Sequence, residues 1–388
     1  MRIIIVNKYA RVIGGSDVHC LELAKGLREH GHEVMFLSTA DDRNLEQSGI
    51  FVPRTVTNDT RGDIKGTRAA VVAGRAFWNA NAAAAMRELI ASFRPDIVHA
   101  HKLYPQLSVA PIVVASDLGL PIVQTAHDYE FISASPLDDT GCWRDRDEEG
   151  FAYRSLNTLL FGSKRLFHSP RVDHWIAVSR YAGYVHGQHG IESSVLPHFT
   201  QAVAVNSPQF GDREGILFVG RLSDEKGLRH VLRLPEWLSS DHPIAIAGDG
   251  PLVDEVQSAT QAFPSLTYLG KLDRAAVVGQ LASARIVVIP SLCQEPAGLV
   301  ALEAMAVGTP LIAYDKGGLA EYVRDAAAGM VVSPSTELLA DAITSLYDDR
   351  HAWEDFSAAG LEAVQRDHTR SVYLDRLERI YSDLIKRG

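Results

Sequence analysis

Residues Ser291 to Pro310 read SLCQEPAGLVALEAMAVGTP, and the rest of the chain is organised around this stretch. An apolar run, Ile286–Pro290, comes just before it and predicts a buried strand. Pro296 biases Glu295 away from α geometry, and a proline suits the first turn of a helix. The pattern therefore predicts Glu295 in a loop, followed by a helix from about Ala297 to Val307. The first amides of that helix, near Gly298, Leu299 and Val300, lack intrahelical partners and point toward the loop. They form a site for anions or sugar hydroxyls. By spacing alone, Glu295 and Glu303 describe a cap and a solvated helix residue. The context changes this, because Val300, Ala301, Leu302, Ala304, Met305 and Ala306 surround Glu303 with small and apolar side chains. The helix reads as buried nearly all round, and a buried carboxylate needs a partner. A ribose diol is a fitting one. Two carboxylates, one before the helix and one on it, can grip two ends of a polyhydroxylated ligand.

Working outward, GRLSDEKG at 220–227 follows an apolar strand, Ile216–Gly220, and opens a helix. Arg221 and Lys226 can both reach the carboxyl end of that strand, where α/β sheets bind ligands. Two fixed cations there suit a nucleoside diphosphate, whose charge must be neutralised as it leaves. They also fit two solvated charges at a helix start. GDGP at 248–251 follows the next strand, and Gly248 and Gly250 shape its turn. Near the start of the chain, Gly14 and Gly15 stand in the first strand–helix loop and let backbone approach a ligand closely. A dinucleotide site would show G-x-G-x-x-G at one of these turns. Val253 stands where the third glycine would be, which counts against a dehydrogenase. His127 and Asp128 end the strand Pro121–Ala126, and a histidine at a strand's carboxyl end is a candidate for ligand contact.

Strand and helix patterns alternate over two long segments. Ile3–Val6, Glu33–Ser38, Asp96–Ala100, Pro121–Ala126 and Trp175–Ser179 are the strands of the first. Ile216–Gly220, Pro243–Ala247, Leu266–Leu269, Ile286–Pro290, Pro310–Tyr314 and Met330–Val332 are those of the second. Apolar runs with few polar breaks indicate parallel strands covered on both faces. Residues 41–68 read as irregular excursions, 69–93 as one long Ala-rich helix, and Ser16 as the N-cap of the first helix. Residues 200–214 lose periodicity and gain turn formers, as a linker does. The expectation is two doubly wound α/β domains, 1–200 and 215–370, and a final amphipathic helix over 371–388.

The motifs EPAGLVALE, GRLSDEKG and GDGP, in their order, resemble those of the retaining glycosyltransferases of family GT4. That resemblance implies the GT-B fold, two Rossmann-like doubly wound domains facing a central cleft, with the C-terminal helix crossing back to the N-terminal domain. It implies that Arg221, Lys226, Gly220, Gly250, Gly298, Leu299, Val300 and Glu303 serve the donor, with Gly14 and Gly15. It places Glu295 and His127 at the transferred sugar. Arg11, Lys102, Tyr104 and Asp128 lie in N-domain loops and are candidates for the acceptor side. The implied activity is transfer of a hexose or related sugar from a UDP- or GDP-linked donor to an acceptor hydroxyl, with no cofactor and with retention. The alternatives are another GT-B enzyme (a sugar-nucleotide epimerase or a phosphorylase) or a non-catalytic nucleotide-sugar-binding protein. Ala297 stands where the family often has Phe, which reshapes the sugar end of the site. His198 stands where the family usually has Asn.

Composition narrows the field further. The 388 residues are 46% hydrophobic and 22% charged, with net charge −10, which argues against nucleic acid as a partner. The charge is uneven, −1 over residues 1–200 against −9 over the rest, so the first half is the likelier to meet a negative surface. Three widely spaced cysteines give no disulfide framework and no zinc pattern, and fit a reducing cytoplasm. Asp145 and Asp147 form a D-x-D in a charged run rather than at a strand end, so no catalytic metal is expected. FGSKRLFHSPR at 161–171 mixes basic and aromatic residues and could touch an anionic membrane surface or a lipid-linked acceptor; a plain helix end is the simpler reading. The acceptor itself, small molecule, glycan or lipid-linked, is left open.

Overall fold

The computed structural model describes residues 1–54, 73–133, 151–202 and 209–387. They form two compact units. One takes in the described residues up to Leu196 together with those from Arg370 on; the other runs over the described residues from Pro197 to Thr369.

The first unit is built on seven parallel strands: β1 (Arg2–Tyr9), β2 (Glu33–Thr39), β3 (Gly49–Val52), β4 (Ile97–Ala100), β5 (Ile122–Ala126), β6 (His174–Ala177) and β7 (Ser194–Val195). Their order in the sheet is β3-β2-β1-β4-β5-β6-β7. Ile3 to Val6 in β1 and Ile97 to Ala100 in β4 are all buried, as strands covered on both faces must be. Edge strand β3 lies in a segment whose polar composition suggests irregular backbone. It pairs Gly49–Val52 with Phe36–Thr39 of β2. Gly49 is needed there, since at φ +154° a Cβ would fall 2.0 Å from the Phe36 carbonyl oxygen.

Two local expectations are corrected. The first helix spans Gly15–Glu29 and is capped at Gly14, not Ser16. The Asp17 carboxylate accepts from the Gly14 N–H at 3.1 Å and the Ile13 N–H at 3.3 Å, doing from the N3 position what a cap side chain would do. The Ala-rich segment does not form one helix to Phe93, because a break at Asn79 starts a separate helix, Ala80–Phe93. Asn79 accepts from the Ala82 N–H at 3.1 Å and donates to the Gln106 carbonyl at 2.9 Å, so its side chain replaces the helical continuation.

The last helix, Arg370–Ile385, belongs to the first unit. Its Tyr373 and Tyr381 are buried, with hydroxyls against His19 Nε2 (3.1 Å) and His99 Nδ1 (2.6 Å). Gly26 of the first helix leaves room for it: a Cβ there would sit 2.9 Å from both Arg370 and Leu374 side-chain carbons.

The second unit has six parallel strands: β8 (Ile216–Arg221), β9 (Ile244–Asp249), β10 (Leu266–Gly270), β11 (Ile286–Ile289), β12 (Leu311–Tyr314) and β13 (Gly329–Val332). Their order is β10-β9-β8-β11-β12-β13. Alternate residues of one strand feed opposite cores: Ile216 and Phe218 one, Leu217 the other.

In each sheet the chain turns back on itself once. From β1 it proceeds to β2 and β3, then returns to place β4 on β1's other side. From β8 it proceeds to β9 and β10, then returns to place β11 beside β8. The loops leaving β1 and β4, and those leaving β8 and β11, diverge at these switch points, where open α/β sheets bind ligands.

Candidate functional site

The switch point of the second unit gathers the residues that the sequence pattern singles out. The loop after β8 is stitched to the loop after β11. Leu292 N–H donates to the Glu225 carbonyl at 2.9 Å, and Ser291 Oγ approaches the same carbonyl at 3.3 Å. Gly227, at φ +70°, permits this approach, because a Cβ there would lie 1.8 Å from the Pro290 carbonyl oxygen. This juxtaposition brings Lys226 Nζ to 2.8 Å from Glu295 Oε2. The other carboxylate oxygen of Glu295 accepts from the buried Ser291 hydroxyl at 2.5 Å. Glu295 sits before the helix, as Pro296 dictates, and its own carbonyl accepts from the Gly318 N–H at 2.7 Å.

The helix runs Leu299–Ala306, slightly shorter than the sequence suggests, with Gly298 as N-cap and no side-chain cap. Leu302 N–H is the first to turn inward, to the Gly298 carbonyl at 3.2 Å, so the amides of Leu299 and Val300 stand at the open end. Ala301 through Ala306 are all buried, including Glu303 at 7% exposure. Burial pushes the Glu303 carboxyl above its usual range, while the Arg274 guanidinium, with Nε 3.2 Å from Glu303 Oε1, opposes that rise. Glu303 thus already has a cation beside it in Arg274, a partner that the sequence pattern does not reveal. Arg221 closes β8 on an exposed position, in register with Asp249 of β9. The glycines of the GDGP turn answer to packing. A Cβ on Gly248 would meet the Gly220 carbonyl oxygen at 1.8 Å, and one on Gly250 the Leu222 carbonyl oxygen at 2.4 Å.

Sequence reasoning missed Arg274, Ser291 and Gly317. Arg274 opens a helix, Arg274–Ser283, almost thirty positions before its partner, and nothing in a linear pattern ties the two. Gly317, at φ +59°, would place a Cβ 2.5 Å from the Glu295 carbonyl oxygen. Ser291 begins the loop that carries Glu295, but a serine four residues before a glutamate carries no signal on its own.

The first unit assembles a second group at the ends of β1, β4 and β5. His127 is half-buried, with Nε2 2.9 Å from His101 Nδ1 and the two rings stacked at 5.2 Å. His101 in turn lies 4.2 Å from the His99 ring, and His19 lies edge-on to His127 at 5.7 Å. His99 bridges Tyr381 and the Thr125 hydroxyl, and burial, with His101 beside it, holds its pKa well below the usual value, so the ring is neutral. Asp128 and Lys102 form an ion pair at 2.6 Å. Burial works against both charges, yet each partner outweighs it, so Asp128 titrates well below and Lys102 above the ordinary range.

The other acceptor-side candidates have structural employment. Tyr104 is buried, not on the surface, and its hydroxyl meets His168 Nδ1 at 2.9 Å. Arg11 is bound to Asp41 at 2.9 Å, as is Arg54 at 3.0 Å. With a hydrogen bond from Arg43 as the largest contribution, these arginines pull Asp41 down to about 2. Gly14 has no atom within 4 Å of where a Cβ would stand, so the loop face beside it is open. Of the segment 161–171, Lys164 turns inward to Glu130 at 3.1 Å and His168 is buried, while Leu166 and Phe167 are exposed. Asp145 and Asp147 lie outside the described residues. Among the described residues no helix is long and apolar enough to cross a membrane.

Two parallel doubly wound units, a helix returning to the first, and a lysine and two glutamates at the second unit's switch point define a glycosyltransferase of GT-B architecture. The family model described as Glycosyltransferase Family 4 matches residues 13–199, and that described as Glycosyl transferases group 1 matches residues 202–362. The chain belongs to glycosyltransferase family 4, whose members move a sugar from a nucleotide-activated donor. The phosphatidyl-myo-inositol mannosyltransferase of Mycobacterium leprae is 27% identical, over 100% of this chain and 98% of that protein. Among solved structures, sucrose-phosphate synthase from Thermosynechococcus elongatus superposes with a TM-score of 0.74 at 18% identity, covering 100% of both chains. Anabaena HepE in complex with UDP-glucose superposes with a TM-score of 0.69 at 15% identity, covering 99% of this chain and 100% of that one.

Proposed function

We propose that the enzyme transfers a hexose or related sugar from a UDP- or GDP-linked donor to an acceptor hydroxyl with retention of anomeric configuration. The observation that carries this reading is the Lys226–Glu295 pair at the β8–β11 switch point, one helix away from a buried Glu303. In this reading the second unit binds the donor and the first the acceptor. Glu303 takes the ribose hydroxyls, and the open amides of Leu299 and Val300 face the diphosphate. Arg221 and Lys226 neutralise the charge that builds on the leaving diphosphate. A lysine ammonium has three donors, so Lys226 can keep Glu295 and still take a phosphate oxygen. Glu295, fixed by Ser291 and Lys226, orients the sugar ring, and His127 contacts it. Attack is on the front face through an oxocarbenium-like state, with the departing diphosphate taking the acceptor proton. No divalent ion is needed.

The Anabaena HepE complex with UDP-glucose supports a uridine donor by analogy of fold. Exposed Leu166 and Phe167 beside Arg165 support a weak contact with an anionic membrane surface on the cytoplasmic side. The test is incubation with UDP- and GDP-sugars, following slow donor hydrolysis and then the anomeric coupling of the transferred sugar by proton NMR. Hydrolysis of no donor would overturn the enzymatic reading, and an inverted anomer would overturn retention.

A further inference from the structure

The first unit carries a charge that neither the donor site nor the histidine stack uses. At the carboxyl ends of β1, β4 and β5 three ammonium groups stand among three carboxylates, Asp128, Glu130 and Asp17, and among the described residues only two of the three ammonium groups are in ion pairs. Lys102 is paired with Asp128 at 2.6 Å. Lys164 is paired with Glu130 at 3.1 Å and also donates to the Glu130 carbonyl at 3.2 Å. The nearby Asp17 is committed to the N–H groups of Ile13 and Gly14 and to the Asn7 amide. Lys8 is the lysine left over. Among the described residues it pairs with no carboxylate; its Nζ reaches the Tyr104 carbonyl at 3.4 Å and stands 5.5 Å from the Tyr9 ring centroid. Its backbone N–H donates to the Lys102 carbonyl at 2.5 Å, which ties the two lysines together at the backbone. Burial, and then the charge on Lys102, lower the pKa of Lys8, while the more distant Glu130, Asp128 and Asp17 pull the other way. A partly buried ammonium next to a like charge is unfavourable until an anion joins it. The position is the β1–β4 switch point, where an α/β sheet takes its ligand.

We propose that the β1–β4 switch point of the first unit is an anion site, and that the acceptor of this glycosyltransferase carries a phosphate or carboxylate group bound by Lys8 and Lys102. The assignment to the acceptor rests on the functional reading above; the anion site itself does not.

The full-length protein is labelled with limiting acetic anhydride, and acylation of each lysine is read by mass spectrometry, with the exposed Lys25 as internal reference. Inorganic phosphate or acetate is expected to slow acylation of Lys8 severalfold relative to Lys25. Equal rates with and without either anion would overturn the site. Protection by UDP far below the phosphate concentration needed would assign the anion to a nucleotide and overturn the acceptor reading. Transfer is then compared among a sugar phosphate, a uronic acid, phosphatidylinositol–phosphatidylcholine vesicles and a neutral glycoside, which separates a soluble phosphate, a carboxylate and a lipid headgroup. In Lys8→Met the preference for the anionic over the neutral acceptor should fall roughly ten- to a hundredfold, the worth of one hydrogen bond to a charged group. Lys8→Arg should retain most of the preference. An unchanged preference in Lys8→Met, with a melting temperature like that of the parent, would overturn the proposal. Absence of donor hydrolysis in a protein whose Lys8 is still protected by phosphate would overturn the enzymatic reading and leave the anion site standing.

Discussion

Replacing Arg274 with methionine tests whether this residue keeps Glu303 ionised for the donor. The methionine preserves much of the aliphatic volume and removes the charge. Nε of Arg274 stands 3.2 Å from Glu303 Oε1. At an effective dielectric of about 20, that separation corresponds to roughly 5 kcal/mol between unit charges. The Arg274 side chain is 39% exposed, so water screens it. Discounted for screening, the pair is worth about 1–2 kcal/mol. The sign follows from the direction of the shift. Burial has already raised Glu303, Arg274 opposes the rise, and its removal lets the pKa climb further toward working pH. A carboxyl is neutral below its pKa and then accepts the ribose hydroxyls less well. Donor KM in Arg274→Met should therefore rise as the pH is lowered, and begin to rise at a higher pH than in the parent. The assay is initial rate against donor concentration at each pH, with saturating acceptor and a thermal melt as control. Superimposable profiles would refute the reasoning. So would a KM raised by one factor at every pH, since that would mean that Arg274 touches the donor directly.

Arg221→Ala and Lys226→Ala should each lower turnover by roughly two or more orders of magnitude, as loss of a preorganised charge stabiliser does; near-parental turnover in both would remove them from the diphosphate. Glu303→Gln should mainly raise donor KM, whereas Glu295→Gln, whose partners are Lys226 and Ser291, should mainly lower kcat; steady-state kinetics showing the reverse would exchange their roles. Activity should persist in excess EDTA, and a loss that magnesium or manganese restores would return Asp145 and Asp147 to consideration.

The strands were legible because parallel strands covered on both faces are written as apolar runs with few polar breaks, and β1, β4 and β11 are of that kind. Edge strand β3 was not, since its four residues, Gly49–Val52, are too short a run to stand out from the polar residues before them. Glu295, Lys226 and Glu303 were legible because proline, glycine and small residues mark the loop and the buried helix that hold them. Their partners were not. Arg274 and Ser291 act through side-chain geometry set by tertiary packing, and no local pattern encodes it. Tyr104 misled for the same reason: a tyrosine after a strand looks like a surface residue until His168 is seen to take its hydroxyl.

The helix Arg370–Ile385 is the last described element in the chain and packs into the first unit. During synthesis, then, the residues up to Leu196 leave the ribosome long before the element that completes their core, and the whole second unit emerges in between. Tyr373 and Tyr381, at 1% and 0% exposure, arrive last to meet His19 and His99. Every described residue of the second unit precedes this helix, so that unit can finish folding first, the opposite of the usual N-terminal-first order. Any truncation that removes this helix strikes the beginning of the protein, not its end.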